Sequence, residues 1–216
     1  MSACNGLQYQ TEVTVHAMDL GKSGNAVALG KACADVDILV NNAGAIPSDG
    51  LLDVADEKWR HAWDLKVFGF INLMREIYRA MRQRKSGVIV NVIGVAGERH
   101  RSNYIAGTTG NAGLMAFTRA LGAESVDHGI RVVGVNPGRI ETERQIGHFR
   151  EQALRDLGDE ARWPELQAKV AETLPFKRAG RPDEVGDLVV YLASARASYL
   201  SGTIVTIDAG ASLRPR

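Results

Sequence analysis

The chain has 216 residues, 45% of them hydrophobic and 24% charged, which fits one soluble domain with a single sizeable core. Lys and Arg number 26 against 25 Asp and Glu, a net charge of +1 that supplies no electrostatic pull towards nucleic acid or an anionic membrane. Cys4 and Cys33 lack metal-ligand spacing, so the composition indicates neither a disulfide scaffold nor a zinc site and favours reduced thiols in the cytoplasm. No stretch approaches the roughly 18 apolar residues of a membrane helix. The most apolar one, Val88 to Ala96, contains Asn91 and Gly94 and has the length of a buried strand. The first ten residues have neither a basic nor an apolar region, so no signal peptide is expected.

Strands are predicted at Val13 to His16, Ile38 to Val40, Val88 to Ile93, Ile130 to Val135 and Thr203 to Ile207. Several are apolar on both faces, as in a parallel sheet covered on each side. Helices are predicted at Gly24 to Ala34, Ala55 to Arg84, Tyr104 to His128, Arg150 to Thr173 and Pro182 to Ser194, the second with a break around Gly69. This alternation indicates an α/β doubly wound parallel sheet. With no repeat or linker in view, residues 1–216 are expected to form a single domain.

In open sheets of this kind ligands sit beyond the carboxyl ends of the strands. The residues there are Asp19-Leu20, Asn41 to Gly44, Gly94 to Gly97 and Asn136 to Gly138. Glycine, asparagine and proline suit sharp turns and close approach to a ligand, but any strand-to-helix turn uses them too.

Taken together and in order, D-I-L-V-N-N-A-G at Asp37 to Gly44, G-V-I-V-N-V at Gly87 to Val92, Tyr104 opening a helix, G-I-R-V-V-G-V-N-P-G at Gly129 to Gly138, R-A-G-R-P-D-E-V at Arg178 to Val185 and S-G-T-I-V-T-I-D-A-G at Ser201 to Gly210 resemble the short-chain dehydrogenase/reductase family. The resemblance implies a Rossmann-like fold, NAD or NADP as cofactor, and hydride transfer between nicotinamide and a small alcohol or carbonyl substrate. It also implies a homodimer or homotetramer through the two long helices, although core burial explains their apolar faces equally well. The family begins with a strand and a glycine-rich turn that holds the pyrophosphate. No such motif precedes Asp19, and Gly21 to Gly24 reads as a helix-entry turn. The chain therefore resembles a member lacking the first two strands and first helix. In the family strand order this leaves the strand at Val13 either paired directly with the one at Ile38 or frayed at an edge.

The family's catalytic tyrosine is matched by Tyr104. Thr108 stands where its lysine is expected, Gly94 where its serine is, and Lys66 where its asparagine is. Free tyrosine has a pKa near 10. A cation about 4 Å away at an effective dielectric of about 20 would favour the phenolate by roughly 4 kcal/mol. Lys66 is one source of that charge, moved to the preceding helix; the alternatives are a lysine reaching solvent or paired with Asp64. Thr108 and Asn111, four and seven residues after Tyr104, would share its helix face and donate hydrogen bonds into the site. Glu98, Arg99 and His100 read as charges of a loop at the mouth of the site.

For the cofactor, the resemblance places Asp19 and Leu20 near the adenine, Asn41, Ala43 and Gly44 along its ribose, and Tyr104, Pro137, Gly138 and Thr142 against the nicotinamide end. Thr142 would also serve as a helix N-cap. Arg139 to Thr173 would lie over the substrate as a charged surface helix, with Leu154, Leu157, Trp163, Leu166 and Val170 as a packing stripe. The expected activity is an atypical NAD(P)-dependent oxidoreductase with Tyr104 as acid/base. The alternative is an inactive family-like fragment or a binding and oligomerisation protein.

Overall fold

The structure is a computed structural model that describes residues 12–214. Its frame is a four-stranded parallel sheet in the order β1-β2-β3-β4, formed by Ile38–Asn41, Gly87–Val92, Ile130–Pro137 and Ile204–Ile207. The register is continuous, with Asn41 opposite Asn91 and Asn91 opposite Gly134. β2 and β3 are buried along nearly their whole length because both faces are covered.

On one face Ile89, Ile130 and Val132 pack with Phe70, Met74, Ile77 and Met81 of α3 (Gly69–Arg84) and with Leu114 and Met115 of α4 (Ile105–Ser125). On the other, Val90, Val133 and Val135 pack against Leu192 of α7 (Pro182–Ala193) and its neighbours. The strands advance in one direction across the sheet, yet α3 and α4 cover one face and α7 the other. The β3-to-β4 crossover therefore has the opposite hand to the first two, an exception to the usual single hand of parallel connections.

The predicted strand at Val13 to His16 does not form. These residues lie outside the sheet, Val13 and Val15 being 66% and 74% exposed. Among the described residues β1 is instead an edge of the sheet, and its outer face, Ile38 and Val40, is open to solvent. Among the described residues no strand pairs with them, and β propensity alone does not hold a four-residue segment in place.

The long helix predicted from Ala55 is α2 (Asp56–Trp63) running through one π-helical turn, Asp64–Phe68, into α3. The predicted break at Gly69 thus falls just after a wide, under-wound turn rather than in a gap. The helix predicted from Arg150 is two, α5 (Glu143–Leu157) and α6 (Trp163–Ala171), separated by Gly158 in the left-handed conformation. That break resets the helical phase, so the expected stripe is not continuous: Leu154 is 57% exposed while Phe149 and Ala153 are buried. The predicted first helix is α1 (Ser23–Ala32). No helix among the described residues is long and apolar enough to cross a membrane.

Candidate active site

A cleft of about 550 Å³ opens at the carboxyl ends of β2 and β3. Its floor is Ile93 to Ala96 after β2 and Pro137-Gly138 at the end of β3, with Tyr104, Asn111 and the segment from Arg139 to Gln152 forming its walls. Gly94 sits at φ +123°, ψ +141°, a conformation open essentially to glycine alone. A serine there would be strained, and its Cβ would meet Asn111 Nδ2 at 3.1 Å.

Tyr104 ends a short 3-10 turn and caps α4 with φ −148°, ψ 39°. Its ring leaves the helical path and folds over Gly107, where an added Cβ would lie 2.1 Å from ring carbons Cε1 and Cζ. Around it pack Ile46, Ala62, Ala106 and Trp59, and Trp63 Nε1 donates to the Ala106 carbonyl at 3.0 Å, pinning the first turn of α4. Burial raises the phenol's pKa above its ordinary value, against a lowering by the guanidinium of Arg144. Arg144 is held nearby, its Nη2 donating to the Ile46 carbonyl at 2.9 Å.

Asn111 is 4% exposed. Its Nδ2 donates to the Gly94 carbonyl at 3.3 Å, and its buried Oδ1 has no partner. Native interiors rarely leave such an acceptor unsatisfied, so an atom with no partner on the wall of a cleft marks a place for a ligand donor.

Lys66 does not serve as the expected cation for Tyr104. It is 8% exposed in the π-helical turn; its Nζ donates to the Val92 carbonyl at 2.8 Å and lies 4.5 Å from the centre of the Phe70 ring. Its stem covers Gly44, where an added Cβ would meet Lys66 Cδ at 2.4 Å. Burial lowers its pKa to about 8, and the cation that acts on the phenol is that of Arg144. The physical reason is reach: a backbone carbonyl at the end of β2 satisfies the ammonium before it comes to the ring.

Thr108 is also displaced from its expected role. Its Oγ1 donates to the Arg101 carbonyl and accepts from the Arg101 amide, both at 3.3 Å, and it does not line the cleft. The shared-face count brings Asn111 to the cleft but not Thr108, because Tyr104 is not in helical conformation and counting from it shifts the phase.

Of the expected cofactor residues, Pro137, Gly138 and Thr142 line the cleft, and Thr142 also caps α5 by accepting from the Gln145 amide at 3.3 Å. Asn41 turns inward: its Nδ2 donates to Asn91 Oδ1, and Asn91 Nδ2 donates to Thr118 Oγ1, each at 3.0 Å in a buried chain. Ala43 and Gly44 are exposed just beyond β1. The Asp19 carboxylate accepts from the Gly21 amide at 3.0 Å, and the Leu20 carbonyl lies 3.1 Å from the Cβ that Gly69 lacks. Glu98 pairs with Arg119, and Arg99 donates to the Ala211 carbonyl at 2.8 Å. Sequence reasoning placed the segment from Arg139 over the substrate without singling out Arg139 or Arg144 as lining residues, and it missed Arg101.

The fold and this cleft define a dinucleotide-type oxidoreductase scaffold, and comparison makes the family explicit. The family described as enoyl-(acyl carrier protein) reductase matches residues 7–212, and the chain belongs to the short-chain dehydrogenase/reductase family of oxidoreductases. It is 31% identical over 209 residues to the 3-oxoacyl-(acyl carrier protein) reductase FabG of Vibrio cholerae, covering 88% of this chain and 79% of that one. It is 32% identical over 178 residues to nodulation protein G of Azospirillum brasilense. That match covers 81% of this chain and 65% of the relative, just under two thirds of its length. Among solved structures, L-sorbose reductase from Gluconobacter frateurii, complexed with NADPH and L-sorbose, superposes with a TM-score of 0.84 at 30% identity, covering 93% of this chain and 76% of that one.

Proposed function

We propose that this chain transfers hydride between a nicotinamide nucleotide and a small carbonyl or alcohol, with Tyr104 as the proton donor and acceptor. The observation that carries the reading is the meeting of the half-buried Tyr104 phenol and the unpartnered Asn111 Oδ1 on one cleft beyond β2 and β3. The similarity to a reductase solved with NADPH supports the same nucleotide here.

The residues present fit such a group. Asn111 Oδ1 offers a buried acceptor to a hydroxyl or amide donor. Pro137, Gly138 and Thr142 would hold the nicotinamide end, and the exposed turn at Ala43 and Gly44 with the Asn41 backbone would hold the adenine ribose. Asp19 and Leu20 lie at the entry to α1 and would meet the adenine. When bound, the nucleotide supplies or takes the hydride.

The chain's own contribution is the proton. Burial keeps the Tyr104 phenol protonated at neutral pH, which suits reduction, in which the carbonyl oxygen takes that proton as its carbon gains hydride. The phenolate left behind faces the Arg144 guanidinium and recovers a proton from water. Lys66 acts as a positioning residue, joining the ends of β1 and β2 through Gly44 and Val92.

The test is isotopic. Incubation with NADPH deuterated at C4 and a panel of ketones, followed by deuterium NMR of the alcohols, is expected to show label at the carbinol carbon. Loss of nucleotide absorbance with deuterium found only in water would contradict hydride transfer.

A further inference from the structure

The walls of the cleft carry one sign of charge. Arg99, Arg101, Arg139 and Arg144 line it, and among the described residues no aspartate or glutamate does. Among the described residues, none of Arg101, Arg139 and Arg144 forms an ion pair with a carboxylate, whereas the nearby Arg178 and Arg181 are paired with Glu184 and Asp183. Glu184 and Asp208 line the adjoining hollow together with Arg99, Arg101 and Arg139, but both carboxylates are already engaged. Glu184 holds Arg178 and the Arg181 amide, and Asp208 accepts from the Gly210 and Ser212 amides.

The backbone that carries these arginines is fixed in place. Thr108 grips the Arg101 backbone through both its amide and its carbonyl. Arg139 directly follows Gly138, whose amide donates to the Ile207 carbonyl at 2.9 Å, tying the turn to β4. Partial burial, and then the like charge of Arg101, lower the pKa of Arg139. Two guanidinium groups that line the same cleft without a carboxylate partner of their own form an arrangement that a bound oxyanion would relieve.

Resting on the reading of this cleft as the substrate site, we propose that the substrate is an anionic carbonyl compound whose carboxylate or phosphate is held by Arg101 and Arg139 while its carbonyl faces Tyr104. Guanidinium forks match either oxyanion bidentately. The strongly basic end of the cleft thus selects charged ketones over neutral ones of the same size.

The experiment uses the whole chain and two matched pairs of ketones: acetoacetate with methyl acetoacetate, and dihydroxyacetone phosphate with dihydroxyacetone. Turnover is followed with NADPH, and binding is followed separately by thermal shift at constant ionic strength without nucleotide. The expected result is a saturable stabilisation by at least one charged member and by neither neutral one; which charged member acts separates carboxylate from phosphate. Arg101→Gln and Arg139→Gln should each raise its KM or apparent Kd by about 10- to 100-fold, with the NADPH Kd unchanged. Equal response to charged and neutral members, or variants that bind the charged member as well as the unaltered chain does, would overturn the proposal. An NADPH Kd weakened by the same factor in both variants would also overturn it, assigning the arginines to the nucleotide's phosphates. Tyr104→Phe separates this proposal from the hydride-transfer reading: anion binding retained in that variant supports the arginine site whether or not any ketone turns over.

Discussion

The ring of Tyr104 occupies the space that a side chain on Gly107 would fill: a Cβ built there falls 2.1 Å from Cε1 and Cζ. The helix thus lacks a side chain at its third residue and receives a phenol from the turn before it. This relation fixes where the proposed proton donor stands, and it depends on one missing methyl group.

Gly107→Ala should push the ring off this seat. Alanine favours the helix by up to about 1 kcal/mol over glycine, so the thermal midpoint should hold or rise slightly if the ring yields. A displacement of about 1 Å at a reacting group costs on the order of 100-fold in rate. Steady-state kinetics beside a melting curve check this: activity lost with stability kept is the expected pattern.

Arg144 governs how readily the Tyr104 phenol ionises. Its guanidinium lowers the phenol's pKa against the dominant raising by burial. Removing it in Arg144→Gln therefore raises the pKa further. In a pH–rate profile for reduction, the alkaline fall in rate should move to higher pH in the variant. A fall that stays in place or moves down would contradict this account.

Lys66 makes the stability of the fold depend on pH. Its pKa falls from 10.5 unfolded to about 8 when buried. Below about pH 8 the ammonium is charged in both states and the cost of burying it is fully present. Between about 8 and 10.5 the unfolded chain binds the proton and the folded chain does not, so stability rises with pH, by roughly 3 kcal/mol in all. Urea denaturation at pH 7 and pH 9.5 should show that rise in the unaltered chain and a smaller one in Lys66→Met.

Asn41 belongs to the sheet's interior as much as to any ligand. Asn41→Ala leaves Asn91 Oδ1 without its buried donor and should cost about 1–3 kcal/mol of stability. Differential scanning calorimetry measures it directly.

Much of the architecture was legible in the sequence because it rests on patterns the chain repeats. The apolar runs of β2 and β3, covered on both faces, and the strand-to-helix alternation define a parallel sheet without ambiguity. The motifs at Asp37 to Gly44 and Gly129 to Gly138 located two of the turns at its ligand edge. Val13 to His16 was misread because strand propensity says nothing about whether a neighbour exists to pair with. Gly158 was passed over inside a periodic stretch, although its left-handed conformation ends α5.

The site was less legible, for reasons of phase and reach. Tyr104 lies outside the regular helix, so the i+4 count that implicated Thr108 began from a residue without helical geometry. Lys66 has a stem long enough for several partners, and sequence cannot tell that its ammonium donates to the Val92 carbonyl. Arg139 and Arg144 looked like surface charge because most arginines are; only the fold shows them lining a cleft that has no carboxylate on its walls among the described residues.

The most direct test compares NADPH oxidation at 340 nm by the unaltered chain and by Tyr104→Phe, using a ketone the unaltered chain reduces, with nucleotide affinity measured in parallel by tryptophan fluorescence. Removing one hydroxyl should lower kcat by about 100- to 10,000-fold and leave the NADPH Kd within about twofold. A Tyr104→Phe variant that reduces the same ketone at the unaltered rate would contradict the assignment of this phenol as the proton donor.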